Sequence, residues 1–310
     1  MKGGFPMGKK SNIIHEAKKN LQKQCKYGQS KHAAKEKARE EAKRTGEKFK
    51  QVHGIYSTNT YDLYSSVCKS FIIHTLENHK EVRKFEDCRR YVRDFLQEKE
   101  DKGLSAWSLH AYASALACAY GCNKDDFGYD VPERSRKDII RCRDFRSSDY
   151  RSPEEKWNDV KTIIRATGGR RAEISKYRKE DLREREDGNL EIFRRGKNKI
   201  QGWYPVLPQY KDFVKEYFDK APTYTSANGE ERIIRKEQIP SGSIHDLRAS
   251  YACELYKYYE DRGDVASGKL YHCRKDMAGT SYDKGILAKV SEDLGHHRLD
   301  VVISYLYKLK

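Results

Sequence analysis

The sequence predicts a mainly helical α+β protein with two domains. Its 310 residues exceed the length of one ordinary globular domain, and about two domains are expected at that size. The first half carries apolar residues at helical spacing. The second half mixes helical segments with two short apolar runs, 190–193 and 203–206, that predict a hairpin. We therefore expect a helical domain followed by a mixed domain with a small antiparallel sheet.

The charge balance favours a polyanionic partner. The sequence has 63 Lys and Arg against 47 Asp and Glu, a formal net charge of +16, and nucleic acid is the first candidate for such a chain. Mean hydropathy is −0.98, and neither a long uncharged apolar run nor a signal-peptide core is visible. We expect a cytoplasmic, nucleoid-associated protein that does not span a membrane.

Much of this charge lies near the N-terminus. Residues 1–57 contain fifteen Lys and Arg and five Glu, a net of +10. Within them, residues 30–50 are rich in Ala, Glu and Lys with oppositely charged residues three and four apart, which favours a solvent-facing helix. We interpret residues 1–57 as a basic arm or tail. Either it is a solvated tail, or it grips DNA through Lys35, Lys43 and Arg44.

Residues 58–123 predict a compact helical domain. Apolar side chains recur there at helical spacing in three stretches, the first of which includes Leu63. Ser105 is placed to cap the third helix. Residues 124–150 lose this periodicity and gather Asp, Gly, Ser and Arg, which indicates a linker. Residues 151–310 then form the second domain.

Two patches of the second domain carry basic residues in defined local contexts. Arg170 follows a glycine turn and opens a helix, with Glu173 one turn on. A guanidinium held in this way suits phosphate binding, although a surface ion pair is the commoner explanation. The sequence GKNK (196–199) would form the hairpin tip and present Lys197, with Lys199 behind it. Lysines at hairpin tips also occur simply for solubility.

Two further patches add histidines, an arginine and a tyrosine. His245 and Arg248 lie three residues apart on one predicted helix face and would point into a common space. Alone, they could equally be a helix cap and a surface ion pair. Further along, a helix ends in Leu-Gly-His at His296, and Tyr305 follows nine residues later. A tyrosine in such a place is ordinarily an amphipathic anchor.

Taken in order, these patches resemble the tyrosine recombinase, or phage integrase, family. TGGRRAEI resembles the family's first arginine box, GKNK its catalytic-lysine hairpin, HDLR its His-x-x-Arg box, and LGH with Tyr305 its closing box. The resemblance covers roughly residues 157–307. The helical unit before it is similar to the family's core-binding domain in position, size and pattern. The resemblance implies that the two domains close around duplex DNA as a C-shaped clamp.

The resemblance also implies roles for seven residues, which are Arg170, Glu173, Lys197, His245, Arg248, His296 and Tyr305. The two arginines would bind the phosphate, and Tyr305 would attack it. Lys197 would protonate the leaving 5′ oxygen, the two histidines would hydrogen-bond the phosphate or assist proton transfer, and the glutamate would support the site. His297 and Tyr307 are neighbouring alternatives, but the nine-residue interval from His296 selects Tyr305.

Three features depart from the family pattern or extend it. Gly169 stands where the family commonly has a bulkier apolar residue. Arg171 adds a charge beside the clamp and could compete for its role; we also expect it and Lys199 to contact DNA. Residues 258–287 lengthen the interval before the closing box and predict an inserted loop or an extra helix.

The implied function is site-specific recombination that integrates or excises a mobile element. The family cleaves and rejoins DNA through a 3′-phosphotyrosine and a free 5′-hydroxyl, with neither a cofactor nor a metal ion. The implied partners are double-stranded DNA with inverted-repeat core sites, a homotetramer on two DNA sites, and accessory DNA-bending proteins. Three alternatives stay open: a type IB topoisomerase-like enzyme, a non-cutting DNA-binding regulator on the same fold, and a structural or RNA-binding basic protein.

Overall fold

The structure, a computed structural model, describes residues 7–47, 49, 52–135, 157–196, 201–240, 244–274 and 277–309. The chain divides into two compact units, Met1–Asp138 and Ile139–Lys310. Helices predominate, and the sheets formed by the described residues are small and antiparallel. The prediction of a mainly helical α+β protein is therefore confirmed. Among the described helices, none combines the length and apolarity needed to cross a membrane.

The first unit is helical and has one apolar core. Val67 and Phe71 are buried in that core, whereas Leu63, on the predicted apolar face, is 47% exposed. The Ser105 hydroxyl accepts a hydrogen bond from the Ser108 N–H and caps the last helix, as predicted. The described helices of this unit are α1 (Met7–Lys23), α2 (Lys31–Thr45), α3 (Thr58–Asn78), α4 (Phe85–Cys88), α5 (Val92–Asp101) and α6 (Ala106–Tyr120).

Helix α1 is part of this core. Ile13, Ala17 and Leu21 recur every four residues and are buried in the same cluster as the apolar residues of α3 and α6. The Glu16 carboxylate accepts a hydrogen bond of 2.7 Å from the first N–H of α4. The interpretation of residues 1–57 as an arm or tail is therefore wrong for α1. The many charged residues around it drew attention away from a short apolar stripe, which is sufficient to pack one face of α1 against the core.

Helix α2 lies where the sequence predicted a solvent-facing helix. Ser30 caps its start by accepting a hydrogen bond from a backbone N–H, and Gly46 ends it in the left-handed conformation. No side chain of α2, all of which is described, is buried. Lys35, Lys43 and Arg44 lie on this helix, so their proposed contact with DNA stays a prediction about an open surface.

The linker begins later than the predicted residues 124–150. Lys124–Phe127 forms a short 3₁₀ helix, and both Phe127 and Tyr129 are buried in the first core. Their aromatic rings therefore belong to the first unit. Residues 136–156, where the rest of the predicted linker and the domain boundary fall, lie outside the described residues.

The second unit contains the mixed part of the fold. The predicted hairpin is formed by the second and third of three antiparallel strands, and its GKNK tip, from residue 197 onward, lies outside the described residues. A second hairpin lies within residues 258–287, where the sequence predicted a loop or an extra helix. The elements are α7 (Asn158–Thr167), α8 (Arg171–Ile174), β1 (Leu182–Glu184), β2 (Leu190–Arg195), β3 (Gln201–Pro205), α9 (Lys211–Lys220), β4 (Tyr224–Thr225), β5 (Glu231–Arg232), α10 (Ile244–Arg262), β6 (Leu270–His272), β7 (Ser281–Asp283), α11 (Lys284–Asp293) and α12 (Leu299–Val302).

Helix α10 and strand β2 place the interior side chains of this unit. Tyr251 and Leu255 of α10 are buried, and α10 packs against both α7 and α11. Burial alternates along β2, so that Leu190, Ile192 and Arg194 all point inward. An arginine therefore occupies a position in the strand where the alternation calls for an apolar residue.

We predict that Leu21→Ala lowers the free energy of unfolding by about 2–5 kcal/mol, because it leaves a cavity where α1 meets the core. The matched control is Leu63→Ala on the exposed side of α3, which should change it by less than about 0.5 kcal/mol. Chemical denaturation of the full chain measures both values. Equal effects would show that α1 is not a core helix in solution.

Candidate active site

A two-glycine turn between α7 and α8 is tightly enclosed. Gly168 has φ +60°, and a Cβ there would lie 2.3 Å from the Tyr251 ring. A Cβ on Gly169 would lie 2.5 Å from Ile174 Cδ1 and 2.7 Å from the Tyr177 hydroxyl. The departure at Gly169 therefore has a steric reason, because this chain leaves no room for a bulkier residue.

Arg170 caps α8 and is held by Glu173. Its Nη1 donates a 2.6 Å hydrogen bond to one Glu173 oxygen, and its backbone N–H donates a 2.8 Å bond to the other. Glu173 is 3% exposed. Burial tends to raise the pKa of Glu173, but the Arg170 N–H and the Arg194 and Arg170 charges outweigh it and lower that pKa. An ionised carboxylate thus fixes the Arg170 guanidinium.

Arg248 lies fully inside the unit. It is 0% exposed, and its guanidinium donates to the Gly168 carbonyl and, over 2.6 Å, to the Leu294 carbonyl. Burial, followed by the Arg194 and Arg170 charges, lowers the pKa of Arg248 to about 10. The guanidinium therefore stays charged at neutral pH.

His296 lies between the two predicted clamp arginines. Its Nε2 is 3.5 Å from an Nη2 of Arg170 and 3.5 Å from an Nη2 of Arg248. Because guanidiniums only donate, Nε2 faces them as an acceptor. Burial, then the Arg248, Arg170 and Arg194 charges, lowers the pKa of His296 to about 4. The imidazole is therefore neutral at pH 7.

Tyr305 and His245 complete the group. The Tyr305 ring centroid is 5.4 Å from that of His296 and 5.6 Å from Arg248 Cζ. His245 is exposed in the first turn of α10. Burial of part of its ring and the Arg248 and Arg170 charges lower the pKa of His245. The structure thus brings Arg170, Glu173, Arg248, His296 and Tyr305 together within one chain, and His245 lies near enough for the arginine charges to act on it.

The neighbouring alternatives are oriented differently. The Tyr307 hydroxyl donates a 2.8 Å hydrogen bond to Asp246, and Lys308 lies 2.8 Å from the other Asp246 oxygen. His297 is exposed, with φ +53°. Tyr305 is therefore the tyrosine of this segment that lies beside the arginines. Lys197 and Lys199 lie outside the described residues, so their roles stay predictions.

Sequence reasoning missed Arg194. It is 2% exposed, and its guanidinium donates to the Gly168 carbonyl over 3.3 Å and also to the Asp293 carbonyl. The guanidinium carbon lies 3.6 Å from the centroid of the Tyr204 ring. The alternation of residues along β2 is the sequence signal that could have revealed it, because Arg194 follows Leu190 and Ile192 at a spacing of two.

A basic groove lies on another side of α8. Its volume is about 770 Å³, and Arg171 lines it while donating hydrogen bonds to the Ile239 and Pro240 carbonyls. These bonds hold the Arg171 guanidinium apart from that of Arg170, which lies 3.5 Å from His296. Five cations line the groove against the single carboxylate of Glu237, and they are Arg171, Lys176, Arg232, Arg235 and Lys236.

A metal site is not apparent in the part of the chain that the structure describes. There, no group of three or more His, Cys, Asp or Glu side chains is placed to hold a metal ion.

Comparison with solved structures identifies the fold. The chain is similar to the XerH site-specific recombinase bound to palindromic difH substrate in a post-cleavage complex, with 14% identity, a TM-score of 0.53, and coverage of 97% of this chain and 93% of that chain. It is also similar to the XerH pre-cleavage complex with difH substrate, with 15% identity, a TM-score of 0.50, and coverage of 96% and 94%. No family model and no curated protein sequence matches. The chain has the tyrosine recombinase fold.

We predict that His296 titrates with a midpoint near pH 4 in the DNA-free protein, far below the ordinary 6.5. Because the folded-state pKa is lowered, the unfolded chain takes up this proton more readily. The associated stability is present above about pH 6.5 and is lost as the pH falls toward 4. Histidine NMR measures the midpoint, with His296→Gln to assign the signal. A midpoint near 6.5 would contradict the arrangement of charges.

Proposed function

We propose that this chain is a site-specific DNA recombinase that cleaves and rejoins duplex DNA through a 3′-phosphotyrosine on Tyr305, in the integration or excision of a mobile element. One observation carries the proposal: Arg170, Arg248 and the segment with His296 and Tyr305 come from three distant parts of the sequence and pack against one another. The shared fold supports it, since XerH is a site-specific recombinase.

The proposed cleavage step is an in-line displacement at phosphorus. The Tyr305 oxygen forms a bond to phosphorus and gives up its proton, and the bond from phosphorus to the 5′ oxygen breaks. That oxygen takes a proton from Lys197, as the resemblance implies. The Arg170 and Arg248 guanidiniums balance the negative charge that builds on the non-bridging oxygens. Preorganised charge of this kind is effective because it needs no reorganisation during the reaction.

The two neutral imidazoles suit the proton and hydrogen-bond work of this step. The pKa values of His245 and His296 are both lowered, so each ring is uncharged at pH 7 and has one N–H and one accepting nitrogen. A ring of this form can accept the phenol proton or donate to a phosphate oxygen. Rejoining is the reverse displacement by the 5′-hydroxyl. It needs no external energy source, because the phosphotyrosine link is itself a phosphodiester.

Phosphate binding at Arg248 requires a local rearrangement. Its guanidinium is 0% exposed, and the Tyr305 ring and His296 lie against it. A phosphate therefore reaches Arg248 only when these covering side chains shift. Arg170, with a side chain that is 34% exposed, is accessible first.

The proposed partners are double-stranded DNA with inverted-repeat core sites and a homotetramer on two such sites, with accessory DNA-bending proteins. The basic groove beside α8 supports DNA as the partner, because its lining has five cations and one carboxylate, and within the described residues only one of the five, Arg232, is paired with a further carboxylate, Glu230. The open, strongly basic surface of α2 supports it in the first unit.

We predict that Tyr305→Phe abolishes covalent attachment to DNA, because the phenol oxygen forms the bond to phosphorus. The matched control is Tyr307→Phe, which removes a hydroxyl bonded to Asp246 and should still form the adduct. The first substrate is a plasmid that carries the DNA flanking the gene, and it locates the cleaved sequence. The second substrate is a nicked duplex with that sequence, which traps the covalent adduct. Adducts stable in detergent are counted after electrophoresis.

Other outcomes of this experiment would overturn the proposal in different ways. Binding to the flanking DNA with no adduct from the unaltered protein would indicate a non-cutting regulator. Adducts accompanied by plasmid relaxation, with recombinants never formed between two sites, would indicate a type IB topoisomerase-like enzyme. Adduct formation by Tyr305→Phe but not by Tyr307→Phe would assign the nucleophile to Tyr307.

We predict that neutralising Lys35, Lys43 and Arg44 to Gln weakens DNA binding and flattens its salt dependence. Each phosphate contact contributes about −0.9 to the slope of log K against log salt, so the change is at most about 3 × 0.9. Fluorescence anisotropy with duplex DNA at several salt concentrations measures it. The control removes three positive charges from the second unit instead, at Lys215, Lys220 and Lys289, which are paired with carboxylates as Arg44 is with Glu41. An unchanged slope for the α2 variant would mean that α2 does not contact DNA.

A further inference from the structure

We infer that Arg194 is a positioning residue of this site, which acts with Arg248 to hold the Arg170 turn against the segment that carries His296. The inference rests on the proposed function, because it assigns Arg194 a part in organising the phosphate clamp.

Two guanidiniums bridge the same two segments of the chain. Arg194 donates to the Gly168 carbonyl over 3.3 Å and to the Asp293 carbonyl. Arg248 donates to the same Gly168 carbonyl and to the next carbonyl along, that of Leu294, over 2.6 Å. The residue after the Gly168–Gly169 turn is Arg170, and His296 follows Leu294 by two positions. The two bridges therefore fix the distance between a clamp arginine and the histidine.

Arg194 binds these carbonyls without a carboxylate directly paired to it among the described residues. The Asp293 side chain instead accepts a 2.6 Å hydrogen bond from Tyr259 and lies 3.1 Å from Lys289. Burying a charge in this way costs free energy that an apolar residue in β2 would not. Stacking on Tyr204 and the two carbonyl bonds offset part of that cost. Stability alone is thus a poor reason for an arginine here, and organisation of the site is a better one.

Arg194 also contributes positive charge to the site, although its own side chain is buried. Three guanidiniums, one carboxylate and one phenol ring surround His296, and they belong to Arg170, Arg194, Arg248, Glu173 and Tyr305. The Arg194 charge is one cause of the lowered pKa of His296 and of the lowered pKa of Glu173. The Arg194 guanidinium stacks on the Tyr204 ring, whereas that of Arg248 lies beside His296 and Tyr305. Arg194 therefore acts on a phosphate through its neighbours and not by contact.

The test compares three variants of the full chain. Arg194→Met removes the charge and both bridging bonds at similar length. Arg194→Lys keeps the charge but cannot bridge two carbonyls in the same planar geometry. Arg195→Met is the matched control, since Arg195 is the next residue of β2 and pairs with Asp181 through both of its terminal nitrogens.

Single-turnover cleavage of a suicide duplex and the dissociation constant for the same duplex are measured for each variant. We expect Arg194→Met to cleave about 10²-fold more slowly, because small displacements of catalytic groups have effects of that order. Its dissociation constant should change by less than about threefold, since Arg194 does not touch DNA, and a change of that size is below 1 kcal/mol. Arg194→Lys should recover only part of the rate, and Arg195→Met should cleave at the normal rate.

The His296 titration in the absence of DNA gives a second readout. Its midpoint should rise in Arg194→Met, because one of three nearby positive charges is gone, and should stay low in Arg194→Lys and Arg195→Met. A normal cleavage rate together with an unchanged His296 midpoint in Arg194→Met would overturn the inference. Full recovery of the rate by Arg194→Lys would also overturn it, because charge without bridging would then suffice.

The design separates this inference from the proposed function. If the unaltered protein forms no adduct on any flanking DNA, the proposed function fails, whatever the His296 titration shows. If Arg194→Met does not fold, Arg194→Lys decides the matter through its cleavage rate. A normal rate there overturns the positioning role, and a rate at least about tenfold lower at unchanged DNA affinity supports it.

Discussion

The Gly168 carbonyl, shared by two buried guanidiniums, is the constraint on which the rest of the second unit depends. Arg194 and Arg248 approach it from β2 and α10, and both continue to the end of α11. Three arginines therefore meet around one buried carboxylate, Glu173. The surplus of positive charge lies in a poorly hydrated interior, where electrostatic effects are larger than in water. An anionic group such as a phosphodiester would complete this balance.

The side chains packed around the turn leave no room for a Cβ at Gly168 or Gly169, so both positions require glycine. The left-handed backbone at Gly168 aims its carbonyl at the guanidiniums, and the Tyr251 ring fills the space where a side chain would be. Tyr251 lies one helical turn after Arg248 on α10. The helix that carries the second clamp arginine therefore also packs on the turn that carries the first. A change at either place would be transmitted to the other through direct contact.

The sequence predicted those parts of the site that depend on local spacing. The interval between His245 and Arg248 places them one turn apart on α10, although His245 is exposed there and Arg248 is buried. The interval between Arg170 and Glu173 predicts a capped helix start. Arg194 escaped notice because a charged residue in a short strand is ordinarily read as solvent-facing. Its contacts come from segments 26 and 99 residues away, which no local pattern encodes. Helix α1 escaped for a related reason, since its stripe of Ile13, Ala17 and Leu21 is narrow beside many lysines.

The tyrosine segment is attached to α10 on both sides of Leu306 and through its burial. Tyr307 and Lys308 both bind Asp246, on the helix that carries His245 and Arg248, while Leu306 is buried in the core of this unit. Tyr305, the proposed nucleophile, is therefore held beside Arg248 and His296 of its own chain. The Asp246 contacts are partly buried, with the Lys308 side chain 35% exposed and that of Asp246 18% exposed. In the proposed reaction, these contacts would orient Tyr305 before DNA binds, and the Tyr305 ring would have to shift for a phosphate to reach Arg248.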